Sequence, residues 1–373
     1  MKITLLLPSM FGAGAHRMYL RLASQFAAMG HEVDLVLMDG ENRQFENELS
    51  SAVRVVDLRQ PRLWTSLPAF WSYLRNHRPD VVLASMPLAN GIAAWACRFL
   101  LNRPRLIISE RNALLLVMGE IETPSTARPS YQVLMRIIRY SYRFADALVA
   151  VSEGVAERVR RIPGVPSERV HVLYNPAYPV QLETSLREQP NHPWLKLREI
   201  PVVLGVGRLV PQKDFATLIR AVALVNVKRD VRLIILGDGE DRAELERLAS
   251  HLGISTRVSF PGFVENPLPF MKHASLFVLS SAQEGFGNVI VEAMACGTPV
   301  VSTESTGPSE ILEAGRYGPL VPVGNAEALA AAIEAQLDDP VPSDALQARA
   351  REFSVEASAD AYLKLARQLG AGR

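Results

Sequence analysis

Two carboxylates and a glycine-bracketed turn lie close together in the sequence between residues 280 and 299. Glu284 and Glu292 are separated by seven residues, and the turn Gly285-Phe286-Gly287 directly follows the first of them. Backbone N–H groups in such a turn bind oxyanions, and carboxylates accept hydrogen bonds from sugar hydroxyls. The segment therefore predicts a site for a polyhydroxylated, phosphorylated ligand, although a loop glutamate and a solvated helix glutamate would give the same pattern.

Two cations follow the end of another predicted strand. Arg208 and Lys213 flank a proline-containing loop after the apolar run at 202–206, and Asp214 is the predicted N-cap of the next helix. An arginine can bind two phosphate oxygens in one plane, whereas a lysine supplies a compact charge. Because the carboxyl ends of parallel strands share one edge of a sheet, these cations and the two glutamates predict a diphosphate site at that edge.

The turn at Gly12-Ala13-Gly14 follows the first predicted strand and opens a helix. Its amides could face a diphosphate, and a plain tight turn is the equal alternative. The turn lacks the GxGxxG spacing, and Asp39 comes too late to end the second strand, which disfavours a dinucleotide coenzyme.

Strand and helix signals alternate along the chain, and the strands are continuous apolar runs typical of a parallel sheet covered on both faces. A polar stretch interrupted by prolines at 176–200 lacks periodicity and predicts an interdomain linker. The sequence therefore predicts an α/β fold of two doubly wound domains, at 1–195 and 196–354, whose strand ends face a shared cleft. We expect the C-terminal helix at 355–370 to pack on the first domain.

Composition limits the class of protein. With 373 residues, 48% hydrophobic and 21% charged, the chain fits a two-domain globular protein, and no apolar run reaches membrane-spanning length. The first residues do not fit a signal peptide, and Cys97 and Cys296 lie in apolar surroundings that suit reduced thiols, so a cytoplasmic location is expected. A net charge of +1 argues against a nucleic-acid partner.

The charge is unevenly distributed along the chain. Residues 1–195 contain 22 Lys and Arg against 17 Asp and Glu, and the remaining residues contain 18 against 22. Arg136, Arg139 and Arg143 share one face of a predicted helix. Such a helix fits a membrane interface, and the alternative is a core-facing helix with a solvated basic edge. An anionic membrane surface is therefore a predicted partner of the N-terminal half, with ordinary variation between domains as the alternative.

Five motifs in the C-terminal half carry a resemblance to a known family. They are GRLVPQKDF at 207–215, LGDGE at 236–240, GF at 262–263, EGFGNVIVEAMACGTPVVS at 284–302 and TGPSEIL at 306–312. Over roughly residues 200–325 the chain resembles family 4 of the retaining GT-B glycosyltransferases. The resemblance implies the GT-B fold, two Rossmann-like domains facing a central cleft. It also implies retaining transfer of a hexosyl or N-acetylhexosaminyl group from a UDP- or GDP-sugar.

The resemblance implies roles for individual residues. Arg208, Lys213 and Glu284 are the predicted catalytic residues: the two cations would hold the donor diphosphate, and the carboxylate would hold the transferred sugar. Glu292 would bind the ribose, and the loop at Gly262–Val264 would edge the base. The predicted donor-binding residues are Gly12, Gly14, Gly207, Gly237, Gly262, Phe263, Val264, Gly285, Phe286, Gly287, Asn288 and Glu292.

The acceptor side departs from the common pattern of the family. Many relatives have a histidine where this chain reads Ile108-Ser-Glu-Arg-Asn112. This version resembles members that extend lipid-linked oligosaccharides on a polyprenyl diphosphate, which implies a lipid-linked saccharide acceptor at the inner face of the cytoplasmic membrane. Glu110, Arg111 and His16 are the predicted acceptor-side residues, with a salt-bridged loop and a surface helix residue as the alternatives.

Other functions receive less support from the sequence. No His, Cys and Asp cluster has metal-ligand spacing, and GT-B enzymes of this type usually act without a divalent ion, so we expect no metal and no cofactor besides the nucleotide sugar as co-substrate. A Ser-His-Asp hydrolase lacks its GxSxG sequence. The alternatives are a soluble GT-B transferase or a sugar-nucleotide epimerase with a small-molecule substrate and, less favoured, a non-enzymatic sugar-binding protein.

Overall fold

The computed structural model describes residues 1–10, 14–41, 46–60, 63–111, 136–197 and 199–372. They divide into two compact units. Unit 1 comprises Met1–Pro176 and Val355–Arg373, and unit 2 comprises Ala177–Ser354. The chain thus enters unit 2 before the boundary at residue 195 that the sequence predicted, and the C-terminal helix groups with unit 1.

The described part of unit 1 contains a sheet of parallel strands. These are β1 (Lys2–Leu7), β2 (Glu32–Leu37), β3 (Arg54–Asp57), β4 (Val81–Ser85), β5 (Arg105–Glu110), β6 (Ala147–Ala150) and β7 (Val170–Val172). Their order in the sheet is β3-β2-β1-β4-β5-β6-β7. Ile3 of β1 pairs with Val33 on one side and Val81 on the other. Every residue of β1 after Lys2 is buried, as expected for a strand covered on both faces.

Helices alternate with these strands. They are α1 (Gly14–Ala28), α2 (Leu63–His77), α3 (Pro87–Arg98) and α4 (Glu153–Arg160), and residues 136–141 are also helical. The predicted loop at 122–130 and the first part of the predicted arginine helix lie outside the described residues. A first core cluster joins the strands to α1 through Tyr19, Leu20 and Phe26.

Unit 2 repeats this architecture. Its strands are β8 (Val202–Val206), β9 (Arg232–Leu236), β10 (Val258–Gly262), β11 (Leu276–Leu279), β12 (Val300–Thr303) and β13 (Leu320–Val321), all parallel, in the order β10-β9-β8-β11-β12-β13. Its helices are α5 (Leu182–Ser185), α6 (Pro193–Leu197), α7 (Phe215–Val225), α8 (Arg242–His251), α9 (Leu268–His273), α10 (Asn288–Ala295), α11 (Thr306–Ile311), α12 (Ala326–Asp338) and α13 (Ser343–Arg351). A second core cluster includes Leu218 and Val222 of α7 with Ile333 of α12.

The last helix, α14 (Val355–Gln368), returns to unit 1. Tyr362, Leu363 and Ala366 are each 2% exposed and belong to the core cluster that contains Tyr19 of α1. The C-terminal helix therefore completes the core of unit 1.

The prediction of an interdomain linker at 176–200 is wrong over most of that segment. The segment forms α5 and α6 and packs within unit 2, where Leu195 is 1% exposed. His192 Nε2 lies 3.0 Å from the Ser259 hydroxyl, and Asn266 Nδ2 donates to the Ser185 hydroxyl at 3.1 Å. The prolines break the periodicity of the sequence without preventing short helices.

None of the helices in the described ranges combines the length and the apolar character needed to cross a membrane.

Candidate active site

The carboxyl edge of the unit 2 sheet gathers the predicted donor residues of that unit. Strands β8, β9 and β11 are neighbours, and each ends where a predicted functional loop begins. The loop after β8 carries Arg208 and Lys213, Gly237 follows β9, and Glu284 lies in the loop after β11. Parallel pairing therefore brings residues that are distant in sequence to one edge of the sheet.

Lys213 and Glu284 form an ion pair between Nζ and Oε2 at this edge. Each side chain is only 17% exposed. The Ser281 hydroxyl also donates to Glu284 Oε2 at 3.5 Å. A Cβ at position 207 would lie 3.5 Å from the Lys213 methylenes, so the lysine stem packs beside the backbone of Gly207. A cation and a carboxylate thus share a partly enclosed position in which either could meet a ligand.

Residues that the sequence reasoning missed tie these two loops together. Gln212 Nε2 donates to the Gln283 carbonyl at 2.9 Å, and the Gln212 carbonyl accepts from the Ala282 N–H at 2.9 Å. The Ser280 hydroxyl donates to the Lys213 carbonyl at 2.9 Å. These bonds join positions 67 to 71 residues apart, so no local sequence pattern could have revealed them.

Arg208 is exposed and lies in the same loop as Lys213. Its carbonyl accepts from the Val210 N–H at 3.0 Å, which tightens the loop. Asp214 then caps α7, because its carboxylate accepts from the Thr217 N–H at 3.1 Å and from the Thr217 hydroxyl at 2.7 Å. The predicted N-cap is therefore confirmed, and it fixes the point where the loop ends.

Three glycines bring strand ends together without side chains between them. The Gly207 N–H donates to the Leu236 carbonyl at 2.9 Å, and the Gly237 N–H donates to the Gly262 carbonyl at 2.8 Å. Gly237 has φ +138°, and a Cβ there would lie 1.8 Å from the Gly207 carbonyl oxygen. Only glycine fits at position 237, so no side chain covers the backbone of the sheet edge at this residue.

The turn at Gly285–Gly287 is supported by the buried side chain of Phe286. Phe286 is 3% exposed, and its ring meets Phe353 edge-on with the centroids 5.6 Å apart. Gly287 has φ +103° and stands at the N-cap of α10, and its carbonyl accepts from the Ile290 N–H at 2.9 Å. The positive φ favours glycine, so the turn leads directly into the first turn of the helix.

Asn288 and Glu292 lie one turn apart on α10, and both are half-buried. Near Glu292, burial raises the pKa of the Cys296 thiol to about 12, and the glutamate charge acts in the same direction. Cys296 is therefore a neutral packing residue, as the sequence predicted.

The loop after β10 begins with Gly262 and exposes an aromatic ring. Phe263 is 70% exposed, and Val264 is half-buried. Behind the loop, Arg242 Nη2 donates to the Phe260 carbonyl at 2.8 Å. An exposed ring on a braced backbone is suited to stacking against a flat ligand group.

The candidate acceptor residues of unit 1 have different environments. Glu110 is 2% exposed and accepts from the Tyr142 hydroxyl at 2.7 Å and from the Arg111 N–H at 3.2 Å. Burial, followed by the charge of Glu110, raises the pKa of Tyr142 well above its usual value, so the phenol remains a donor. Glu110 is therefore a buried acceptor that fixes the Tyr142 hydroxyl and the Arg111 backbone.

Arg111 is only half-buried and lies on an aromatic face. Its guanidinium carbon is 4.6 Å from the centroid of the Tyr19 ring, and Nη1 donates to Asn175 Oδ1 at 2.8 Å. His16 is half-buried in the first turn of α1, which begins at Gly14, and Gly12 lies outside the described residues. Strand β5 ends at Glu110, so Arg111 stands at the carboxyl edge of the unit 1 sheet.

Comparisons with known proteins identify the family of this chain. The family described as "Glycosyltransferase Family 4" matches residues 12–179, and "Glycosyl transferases group 1" matches residues 191–353. The lipopolysaccharide core biosynthesis glycosyltransferase LpsE of Rhizobium meliloti is 33% identical over 360 residues, covering 94% of this chain and 95% of LpsE. This chain belongs to the family 4 glycosyltransferases.

This family 4 glycosyltransferase is also similar to two further proteins. The N-acetylgalactosamine-N,N'-diacetylbacillosaminyl-diphospho-undecaprenol 4-alpha-N-acetylgalactosaminyltransferase of Campylobacter jejuni is 32% identical over 248 residues, 64% of this chain and 66% of that protein. The crystal structure of HepE from Anabaena in complex with UDP and glucose has a TM-score of 0.78 at 25% identity, covering 99% of this chain and 100% of HepE. The two parallel sheets and this likeness confirm the predicted GT-B fold of two Rossmann-like domains.

In the described part of this glycosyltransferase, no three His, Cys, Asp or Glu side chains are grouped as metal ligands could be. Transfer without a metal ion stays a prediction.

Proposed function

We propose that this enzyme transfers a sugar with retention from a nucleotide-diphosphosugar to a lipid-linked saccharide in the synthesis of a cell-surface glycan. The observation that carries the proposal is the partly enclosed pair of Lys213 and Glu284, with the exposed Arg208 in the same loop as the lysine. Two cations beside a carboxylate suit a diphosphate joined to a hydroxyl-rich sugar.

The donor roles follow from the chemistry of each side chain. Arg208 and Lys213 hold the diphosphate, and Glu284 with the amides of the Gly285–Gly287 turn holds the transferred sugar. Glu292 on α10 binds the ribose hydroxyls, and the exposed ring of Phe263 lies against the base. The UDP in the HepE structure supports uridine as that base.

The proposed reaction breaks the bond between the anomeric carbon and the diphosphate oxygen. The acceptor hydroxyl oxygen bonds to the same face of that carbon, and its proton passes to a donor phosphate oxygen, so no protein base is needed. Arg208 and Lys213 stabilise the negative charge that grows on the leaving diphosphate, which is the main catalytic contribution.

The acceptor assignment rests on unit 1 and on the names of two relatives. The Campylobacter relative is named for a diphospho-undecaprenol substrate, and LpsE is named for the lipopolysaccharide core. Both names favour a lipid-linked saccharide as acceptor. Arg111 and His16 would contact the acceptor, while the buried Glu110 would hold Arg111 and Tyr142 in place.

A lipid-linked acceptor would bring the enzyme to the cytoplasmic face of a membrane. The charges of the two units support this placement. Unit 1 contains 24 Lys and Arg against 17 Asp and Glu, whereas unit 2 contains 16 against 22. A positively charged unit is attracted to anionic headgroups.

Thermal unfolding with UDP-glucose, UDP-N-acetylglucosamine and GDP-mannose tests the donor site. A nucleotide that binds the folded state raises the unfolding temperature by mass action. We expect a shift with UDP-sugars that is lost in Arg208→Ala and retained in Arg220→Ala, an exposed arginine on α7. No shift with any nucleotide, or equal shifts in both variants, would contradict the donor assignment.

Transfer assays test the acceptor class. With a UDP-sugar that binds, we expect incorporation into a lipid-linked saccharide fraction and little into water-soluble sugars. Transfer only to soluble acceptors would instead identify a soluble GT-B transferase, and conversion of the donor without any acceptor would identify an epimerase.

A further inference from the structure

Large apolar side chains are exposed at one place in unit 1. Phe99 is 62% exposed and Leu101 is fully exposed, in the loop between α3 and β5. Ile137 and Tyr140, in the helical residues 136–141, are 41% and 49% exposed. Single exposed apolar residues are common on soluble proteins, so the meaning of these four depends on whether they form one surface.

Aromatic contacts join Phe99 and Tyr140 through Trp95, and Leu101 and Ile137 lie two and three residues from them in the sequence. We call this surface the aromatic patch. It comprises Trp71, Trp95, Phe99, Leu101, Ile137, Tyr140 and Phe144. The Trp95 ring centroid lies 5.9 Å from Phe99, 6.4 Å from Tyr140 and 5.0 Å from Phe144. Trp71 of α2 reaches the same place, because its Nε1 donates to the Phe99 carbonyl at 3.4 Å. Three segments of unit 1 therefore build the patch together.

The surroundings of the patch are cationic. Arg143 lies 3.7 Å from the centroid of Tyr140, and Arg75 lies 5.6 Å from that of Trp71. Arg98 and Arg136 are exposed beside Phe99 and Ile137 in the sequence. The sequence has no Asp or Glu at 63–79, 81–109 or 136–145. The Asp146 carboxylate that follows is paired with Arg103 and Arg105.

The apolar tip of the patch is separate from the candidate acceptor residues. Phe99 and Leu101 precede β5, which starts at Arg105, whereas Arg111 follows the end of the same strand. They therefore lie at the amino edge of the sheet, and variants there leave the candidate site untouched.

We propose that the aromatic patch is the surface by which this enzyme docks on a membrane containing anionic lipids. The proposal builds on the lipid-linked acceptor of the proposed function and assigns the contact to particular residues. Tryptophan and tyrosine favour the headgroup level of a bilayer, and exposed Phe and Leu side chains insert into its apolar boundary. The arginines of these segments, which contain no acidic residue, attract anionic headgroups, whereas neutral lipids or an apolar protein partner would not interact with their charge.

Vesicle flotation tests this assignment with the full-length chain. Vesicles of phosphatidylcholine alone are compared with vesicles that also contain phosphatidylglycerol. We expect wild type to float only with the anionic vesicles. The double variant Phe99→Ser/Leu101→Ser should bind about tenfold more weakly or worse, because two insertable side chains are lost. Arg98→Gln/Arg136→Gln should also weaken binding, through the lost attraction to headgroups.

Matched controls and a second readout separate the outcomes. Leu224→Ser/Val227→Ser removes two exposed apolar residues of unit 2, at 41% and 82% exposure, and should float as wild type does. Wild type that stays unbound, or Phe99→Ser/Leu101→Ser that floats normally, would overturn the proposal. So would a wild-type dimer that this variant converts to a monomer in analytical ultracentrifugation, since a second copy would then cover the patch.

The UDP-sugar thermal shift measured on the same proteins distinguishes this proposal from the proposed function. Loss of flotation with an intact shift in Phe99→Ser/Leu101→Ser supports a docking role for the patch. A wild type that floats and shows no nucleotide shift would remove the donor assignment and leave the docking surface standing.

Discussion

The side chains of Lys213 and Glu284 are paired with each other, although the proposed function gives them different parts of the donor. The lysine would hold the diphosphate and the glutamate would hold the sugar. On that proposal, a nucleotide diphosphate would compete with the Glu284 carboxylate for the same Nζ, and it would also approach that carboxylate's negative charge. On the proposed function, the ion pair would hold the lysine in place until a donor supplied both a diphosphate and a sugar.

This competition makes Glu284→Gln a test with two opposite effects. Removing the carboxylate should tighten the binding of UDP about fivefold, an effect of about 1 kcal/mol for a partly exposed ion pair. The same change should lower the rate of sugar transfer about a hundredfold, because the sugar loses its carboxylate partner in the transition state. Titration calorimetry with UDP and a transfer assay measure the two effects.

The matched control for this change is Glu265→Gln, at an exposed glutamate in the same unit. It should leave both quantities unchanged. Weaker UDP binding in Glu284→Gln would show that the carboxylate helps to hold the nucleotide and does not compete with it.

Other residues of the site could be found from the sequence in part only. Glu284, Lys213 and the N-cap Asp214 stand in local motifs, so their types and spacing predicted the site and the cap. The pairing of Lys213 with Glu284 spans 71 positions and depends on which strands are neighbours. The burial of Glu110 could not be predicted either, because nothing in Ile108–Asn112 distinguishes this glutamate, at 2% exposure, from the half-buried Arg111.

The turn that would hold the sugar is itself positioned by other elements. Phe286 packs on Phe353, which follows α13, and Arg349 of α13 lies 4.9 Å from the centroid of the Phe353 ring. Arg349 is 8% exposed and donates to the Ile311 carbonyl of α11 at 3.0 Å. Because α11 also approaches the turn, with no room for a side chain at Gly307, the turn is enclosed by two helices.

Phe353→Leu tests whether this support matters for the donor. Leucine keeps most of the apolar contact, so the free energy of unfolding should fall by less than about 1.5 kcal/mol. The edge contact to Phe286 is lost, and we expect the KM for the UDP-sugar to rise several-fold with a smaller change in kcat. Phe270→Leu, at a residue of α9 that is 7% exposed, is the control. Equal effects on KM in both variants would show that Phe353 has no particular role in positioning the donor turn.

A polar cluster around the buried Asp34 joins four elements of unit 1. Arg54 of β3 donates through Nε to Asp34 of β2 at 2.7 Å, and Tyr73 of α2 donates to the same carboxylate. The Tyr73 hydroxyl lies 2.9 Å from that of Thr4 in β1. Burial alone would raise the pKa of Asp34, but the hydrogen bonds from Arg54 and Tyr73 outweigh it and lower that pKa below its ordinary value.

This cluster predicts a dependence of stability on pH. A carboxylate whose pKa is lower in the folded state stabilises the protein above its unfolded pKa and loses that contribution as the pH falls through the folded value. Unit 1 should therefore lose stability below about pH 4, where carboxylates begin to bind protons. Asp34→Asn should cost about 2 kcal/mol at neutral pH and flatten this acid response. Urea unfolding at several pH values measures both, and an unchanged acid response would contradict the assignment.

The order of strands and helices was predictable because each parallel strand is an apolar run flanked by turn signals. The segment at 176–200 was mispredicted because its prolines mask two helices too short for a periodic pattern. What fixes α6 is the burial of Leu195 against unit 2, a tertiary effect that local propensity does not contain. Predictions from periodicity therefore succeed for long elements and fail where packing decides.

At the scale of the whole chain, the division into units sharpens the charge pattern seen in the sequence. Division at residue 195 gave 22 basic against 17 acidic residues in the first part. The structural division moves Glu183, Arg187 and Glu188 into unit 2 and returns residues 355–373 to unit 1, so that unit 1 has 24 against 17. The cationic unit is also the one that carries the aromatic patch, and the anionic unit carries the proposed donor site.

Because α14 follows unit 2 in sequence and packs in unit 1, the last residues of the chain should decide the stability of its first domain. Leu363→Ala removes a side chain that is 2% exposed in the unit 1 core and should cost about 2–5 kcal/mol there. Proteins with two units need not unfold in one step. Calorimetry should therefore show one transition lowered by Leu363→Ala and another raised by UDP. Leu329→Ala, in the unit 2 core, should lower the UDP-sensitive transition instead. If both variants shift every transition equally, the two units unfold as one.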